Sequence, residues 1–158
     1  MIGSFAVGKT SLVQQFVNSI FSEKYLTTIG VKIDQKIVNI GQEQVNLVIW
    51  DIHGEDEYQK IKSSYLMGSS GYFIVIDGTR KSTLKIANSL IKLAQATTGD
   101  VPFIMLINKS DVKKEWELSE NDIIELTEKG WHVIETSAKT GENVEHAFLN
   151  LTKLMLYA

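Results

Sequence analysis

The spacing of apolar and polar positions divides this chain into segments of two kinds. Leu12, Val13, Phe16 and Val17 recur at helical intervals, which predicts a helix from Lys9 to about Asn18 at the end of a glycine-bearing loop. Val31 to Ile40 and Val45 to Asp51 are rich in β-branched residues and are separated by Gly41-Gln42-Glu43, the pattern of an antiparallel hairpin. The first arm mixes polar and apolar positions and is expected at a sheet edge. Three apolar runs follow, "YFIVID" (72–77), "PFIMLIN" (102–108) and "WHVIET" (131–136), with a helical stretch between each and the next. Such runs suit strands buried on both faces of a parallel sheet, and the helical links supply the crossovers that parallel pairing requires. Val144, Ala147, Phe148, Leu151, Leu154 and Met155 form one stripe of a C-terminal helix, and Ser119 with Asp122 has the form of a capping box. The expectation is an α/β sandwich. No repeat, low-complexity tract or linker interrupts it, and the single proline, Pro102, opens a strand, so one domain over residues 1–158 is expected.

Composition narrows the function classes. With 44% apolar and 22% charged residues, the 158-residue chain can fill a real core. A formal charge of -3 with scattered lysines gives no electrostatic case for nucleic acid. The absence of Cys removes disulfides, thiolate metal sites and the usual prenyl or palmitoyl anchors. No apolar run approaches the roughly 18 residues of a membrane span, and no signal-peptide pattern opens the chain, so a soluble, cytoplasmic protein is expected.

The chemistry lies in the loops. Gly3, Gly8, Lys9 and Thr10 fit G-x-x-x-x-G-K-[ST], in which backbone N–H groups wrap a β-phosphate, the lysine bridges β and γ oxygens and the hydroxyl ligates Mg²⁺. Taken alone, the match also suits a plain glycine turn entering a helix. Asp51 ends a strand and precedes Ile-His-Gly, where a carboxylate can hold a water of Mg²⁺ while Gly54 offers its amide to a γ-phosphate. A strand-end Asp is often a cap, but its order after the loop favours the metal. "NKSD" (108–111) and "SAK" (137–139) follow successive strands and fall on the same sheet edge. Asp111 can accept both N1–H and the 2-amino group of guanine, a donor pair that adenine lacks. Ala138 can donate to O6, Asn108 can tie the two loops, and the stems of Lys109 and Lys139 can flank the base.

Taken in order, "GSFAVGKTSL", "KYLTTIGV", "VNLVIWDIHGEDEY", "GYFIVIDGT", "INKSD" and "ETSAK" resemble the Ras superfamily of small GTPases, the Rab branch most closely. The resemblance spans essentially the whole chain. It implies a P-loop NTPase three-layer sandwich, with a mostly parallel six-stranded sheet, one antiparallel edge strand and five helices. It also implies a monomeric switch that binds GDP and GTP with Mg²⁺. Carried over by position, Phe5, Ala6, Val7, Gly8, Lys9, Thr10 and Ser11 cradle the phosphates, Phe21 lies across the guanine and Tyr25 lies near the phosphates. Thr28 joins Thr10 and, through water, Asp51 at the metal. Gly54 senses the γ-phosphate, and Asn108, Lys109, Asp111, Ser137, Ala138 and Lys139 hold the base. Lys9, Gly54 and Glu55 are the catalytic candidates. Residues 22–32 and 52–66 are the expected switches, through which effectors, exchange factors and activating proteins bind. Recruitment to a membrane would need a partner or a tail beyond Ala158.

Four departures from the family pattern bear on turnover and folding. Phe5 stands where the family has Gly or a small residue; either it packs outward over the switch, or it crowds the attacking water and excludes an incoming arginine. Glu55 replaces the family's water-orienting Gln with an anion that can also accept a proton. Ile52 and His53 replace a Thr-Ala pair, and His53 is expected at the surface, the alternative being contact with the hydrolytic water. Arg80, the only arginine, is expected away from the γ-phosphate, which leaves no arginine finger in cis and argues against a P-loop kinase, whose transferring phosphates need several. Finally, Met1-Ile2 supplies only a fragment of the family's central first strand, so an upstream segment or another chain is expected to fill that place. The sum is a GTPase of slow intrinsic rate, with a hydrolysis-impaired GTP-binding scaffold as the alternative.

Overall fold

The two most apolar runs become the centre of the molecule. In the computed structural model, which describes residues 1–24, 27–56 and 60–157, β4 (Tyr72–Asp77) is buried along its whole length and β5 (Phe103–Asn108) from Ile104 onward. With β1 (Ile2–Gly3) and β6 (His132–Thr136) they form a parallel sheet in the order β1-β4-β5-β6. The run at 131–136 is not buried on both faces as its apolar character predicts. β6 is the outermost strand, with one ladder neighbour, and only Thr136 at its end is buried.

The hairpin pairs β2 (Val31–Ile40) with β3 (Glu43–Ile52) from Ile40↔Glu43 to Val31↔Ile52. Its turn is therefore Gly41-Gln42, shorter than the pattern suggests, because pairing draws Glu43 and Gln44 into the ladder despite their polarity. Gly41, at φ 62°, takes the left-handed conformation that a two-residue turn demands. β2 is the antiparallel edge. The hairpin and the parallel sheet are separate ladders that meet at Met1, whose amino group donates to the Trp50 carbonyl (2.6 Å) and whose carbonyl accepts from the Ile52 N–H (3.4 Å). Beyond that meeting point a hollow of about 500 Å³ separates β3 from β4, lined by Leu47, Ile49, Tyr72 and Phe148 among others and by no Asp, Glu, Lys, Arg or His.

Strand alternation sorts the core into two layers. Phe73, Val75, Ile104 and Leu106 face α1 (Lys9–Asn18) and α4 (Val144–Tyr157), packing on Leu12, Val13, Phe16, Phe148 and Leu151. Ile74, Ile76, Met105 and Ile107 face the other way, onto Ala87, Leu90 and Ile91 of α2 (Ser82–Thr98) and Leu126 of α3 (Glu120–Glu128). Phe16 and Phe148 stack with centroids 3.9 Å apart, and Phe73 tilts against Phe148 at 4.8 Å. The capping box at Ser119 and Asp122 is formed in both directions. Among the described residues there are four α-helices rather than five. Between β3 and β4, among the described residues, the helical element is a 3₁₀ turn at Ser63–Tyr65, in a stretch whose Ser and Gly content disfavours a longer helix. No helix among the described residues is long and apolar enough to cross a membrane.

Truncating the stacked ring should cost far more than removing a cap. Phe148→Ala is expected to lower stability by about 3–5 kcal/mol, and Ser119→Ala by about 1 kcal/mol, in denaturant unfolding; equal losses would contradict the packing described.

Candidate functional site

Because β1, β4, β5 and β6 are parallel, their carboxyl ends open on one edge, where a cavity of about 440 Å³ lies. The loop from β1 into α1 forms one wall. Gly8 sits at φ 98°, and a Cβ there would come within 2.2 Å of the Asn108 side-chain nitrogen, so glycine is required on both counts. Lys9 opens α1 but folds back, its Nζ donating to the carbonyls of Gly3 (3.2 Å) and Ser4 (2.9 Å). Only 5% of the residue is exposed, and that burial pushes the ammonium down to about 8, against the pull of Asp51 and with a further push from Arg80. Its hydrogen bonds go to neutral carbonyls, so an anion in the cavity would supply the counter-charge.

Three oxygens converge beside it. Thr10 Oγ1 donates to Asp51 Oδ2 at 2.6 Å and lies 2.7 Å from Thr28 Oγ1. Asp51 is fully buried; burial raises its pKa, opposed by the Thr10 bond, the buried amino group, Lys9 and Lys32, and its Oδ1 has no partner among the described residues. An orphaned carboxylate oxygen next to two hydroxyls suits a small, hard divalent cation. No group of three or more His, Cys, Asp or Glu occurs among the described residues.

At the other end Asn108 ties the loops together, Nδ2 donating to the Val7 carbonyl (2.9 Å) and Oδ1 accepting from the Ala138 N–H (3.1 Å). The Ala138 amide, expected to meet a base carbonyl, is thus engaged by Asn108. Ser137, fully buried, donates through Oγ to Asp111 Oδ1 at 2.6 Å and orients that carboxylate. Lys109 is left-handed (φ 73°), with its carbonyl held by Trp116 Nε1 (2.9 Å) and its ammonium 2.6 Å from Asp77. Lys139 reaches Glu23 at 3.7 Å.

Of the residues expected from the sequence, the cavity is lined by Phe5, Ala6, Gly8, Lys9, Thr10, Ser11, Phe21, Thr28, Gly54, Asn108, Lys109, Asp111, Ala138 and Lys139. Val7, Asp51 and Ser137 stand behind this wall as core, metal-side and orienting residues. Tyr25 lies outside the described residues. Glu55 does not reach the cavity. It is 8% exposed, with Oε2 accepting from the Ile61 N–H (3.2 Å) and Oε1 3.3 Å from Lys60, since a buried carboxylate takes the nearest donors. Its backbone pairs with the phosphate loop, Phe5 N–H to Glu55 O at 3.0 Å and Glu55 N–H to Gly3 O at 3.1 Å. Gly54 is pressed so close that a Cβ would lie 2.4 Å from Phe5 Cα.

A further expectation is corrected. His53 is not a surface residue: it is 4% exposed, its N–H bonded to the Gly30 carbonyl (2.9 Å) and its ring edge-on to Tyr65, while Ile52 is buried beside Ile61 and Leu66. Position two residues after a strand-end Asp predicts a loop, but Gly30, just before β2, and Tyr65 of the 3₁₀ turn meet it there. Arg80 does not line the cavity, but it touches the phosphate loop, its Nη2 donating to the Phe5 carbonyl at 2.9 Å. The sequence reading also passed over Asp77, at the end of "YFIVID". Its fully buried carboxylate accepts from Thr79 (N–H 3.0 Å, Oγ1 2.7 Å), Arg80 Nε (2.8 Å) and Lys109. A charged residue closing an otherwise apolar run is the signal that could have found it.

Sequence comparisons agree in direction. The sequence model of the Ras family matches residues 1–157. Ras-related protein Rab-2B of Dictyostelium discoideum is 35% identical over 158 residues, covering 99% of this chain and 78% of the relative. Ras-related protein Rab-4 of the same organism is also 35% identical, over 99% of this chain and 77% of its own.

Burial alone would raise the Asp77 pKa, but hydrogen bonds from Lys109, Thr79 and Arg80 outweigh it and hold the carboxyl below its ordinary value. Its contribution to stability is therefore complete above the unfolded-state pKa of about 4 and is lost as pH falls through the lower folded value. Asp77→Asn should destabilise by about 2 kcal/mol at pH 7, less than a fully buried pair because both cations reach solvent. That difference should shrink on acidification in denaturant titrations, and a pH-independent difference would contradict the linkage.

Proposed function

The chain belongs to the Ras family, and on that footing we propose that it is a guanine-nucleotide switch that binds GDP and GTP with Mg²⁺ and hydrolyses GTP slowly when alone. The observation that carries the reading is a single cavity joining the glycine loop and Lys9 to Asp111. Phosphates would replace the neutral carbonyls as the environment of the Lys9 ammonium and meet the N–H groups at the start of α1. Asp111, oriented by Ser137, would take the two adjacent donors of guanine. For the Ala138 N–H to reach O6 it must be shared with Asn108 Oδ1. Thr10, Thr28 and, through water, Asp51 would hold Mg²⁺, which neutralises charge on the β- and γ-phosphates.

Switching follows from the same contacts. Glu55 is zipped by backbone hydrogen bonds onto Gly3 and Phe5, and Gly54 packs tightly against Phe5, so a γ-phosphate would have to part this seam for the Gly54 N–H to meet it. Thr28, already against Thr10, is placed to gain a ligand in the triphosphate state. Ile29 (88% exposed), Ile33 and Trp50 leave an apolar surface beside these segments, suited to effector and regulatory proteins. Slow hydrolysis is supported by three placements. Phe5 lines the cavity beside Gly54, the Glu55 carboxylate is held by Lys60 and Ile61, and the one arginine is spent on Asp77 and the Phe5 carbonyl. The position of Glu55 also favours a second reading, a GTP-binding scaffold that does not turn over.

Mass spectrometry of nucleotide co-purified with the protein tests the switch, and guanine nucleotide is expected; adenine nucleotide, or none after loading with GDP and Mg²⁺, would sink it. Single-turnover assays should show slow hydrolysis that Phe5→Gly accelerates when an activating protein is present, whereas no turnover under any condition would favour the scaffold. Lys9, near 8 in the free protein, should rise once phosphate oxygens surround it. Nucleotide binding should then take up a fraction of a proton at about pH 8, and affinity should fall as pH rises further. Calorimetry in buffers of differing ionisation enthalpy reads this directly, and no buffer dependence would count against the lysine–phosphate contact.

A further inference from the structure

Arg80 does not line the cavity, yet it touches the loop that does. Its guanidinium is held from below, Nε donating to Asp77 Oδ2 at 2.8 Å, and from that anchor Nη2 donates to the Phe5 carbonyl at 2.9 Å. Asp77 is itself fixed, fully buried and bonded to both donors of Thr79 and to Lys109. The planar fork of an arginine therefore has a defined direction here, as a flexible ammonium would not.

The Phe5–Ala6 peptide is trans, so its carbonyl and the Ala6 N–H point in opposite directions. Arg80, which does not line the cavity, holds the Phe5 carbonyl, so the Ala6 N–H of the same peptide points away from Arg80, and Ala6 lines the cavity. Ala6 also sits at φ 58°, a left-handed conformation that is unfavourable for a residue with a Cβ, so an external hold on this peptide is needed more than at a glycine. From these contacts we propose that Arg80 is a positioning residue: anchored on Asp77, it fixes the Phe5–Ala6 peptide so that the loop presents an N–H donor to the β- and γ-phosphates. Through Asp77 the same anchor is shared with Lys109, which joins the phosphate end of the site to the base end.

This role rests on the guanine-nucleotide reading above, and the test separates the two. GDP and GMP affinities are measured by calorimetry for the unaltered protein, Arg80→Ala and Arg80→Lys. GMP has no β- or γ-phosphate for this peptide to meet. Both substitutions should weaken GDP by about tenfold, the worth of one charge-assisted hydrogen bond, while GMP changes by less than about twofold. Lysine keeps the charge but cannot span from Asp77 to the Phe5 carbonyl with two directed donors, so it should not rescue. Should Arg80→Ala fail to fold, Arg80→Lys carries the measurement. An unaltered GDP-to-GMP ratio in both variants, or full rescue by lysine, overturns the positioning role while leaving the nucleotide site intact. Failure of the unaltered protein to bind either nucleotide overturns the reading of the site and the role together.

Discussion

Parallel pairing in the register Ile2↔Ile74, Phe73↔Ile104 and Ile104↔His132 brings Gly3, Asp77, Asn108 and Thr136 to one edge of the sheet. The contacts among these strand ends and the loops that follow them depend on that alignment. A loop after β1 can meet a side chain at the end of β5 only because the strands share direction and register, and the Asn108 bond to the Val7 carbonyl spans 101 residues of sequence on that account. Strand alternation does the complementary task, placing Phe73 and Val75 in one apolar layer and Ile74 and Ile76 in the other. The edge is held rigid from both sides, which a site of directed hydrogen bonds requires.

The polar groups at this edge carry a load that their burial makes severe. Asp51, Asp77, Lys9 and Asn108 are all buried, and each is answered differently. Asp77 is saturated by hydroxyl, amide and cationic donors and acts as a fixed post. Asn108 exchanges one donor and one acceptor with the two neighbouring loops. Asp51 and Lys9 are left partly unanswered, one with an orphaned oxygen and the other with neutral acceptors only. Unsatisfied charge of opposite sign, side by side, is what a cation with a phosphate chain would complete. The fully bonded groups hold the frame of this edge.

The segment after β3 shows the same division in backbone terms. Glu55 pairs with the phosphate loop through its main chain while its side chain is turned to Lys60 and Ile61. A family position that elsewhere carries a neutral amide here carries a buried carboxylate, and burial drives it to the nearest donors. His53 is likewise buried, its backbone N–H on the Gly30 carbonyl and its ring edge-on to Tyr65.

By itself the sequence determined the elements and their class, because helical and strand periodicities are local properties: α1 spans Lys9–Asn18 as its apolar spacing requires, and the capping box at Ser119 forms as written. It also marked the loops that bear chemistry, since glycine before Lys-Thr, "NKSD" and "SAK" are constrained by the groups they must present. Tertiary structure alone decided how those groups are shared. That Ala138 gives its N–H to Asn108, that Ser137 orients Asp111 and that Arg80 reaches Phe5 are contacts between residues 30, 26 and 75 positions apart, with no local pattern to announce them. The exposure of β6, the burial of His53 and the direction of the Glu55 carboxylate were illegible for the same reason. Each is set by what packs alongside in space, and periodicity along the chain carries no record of it.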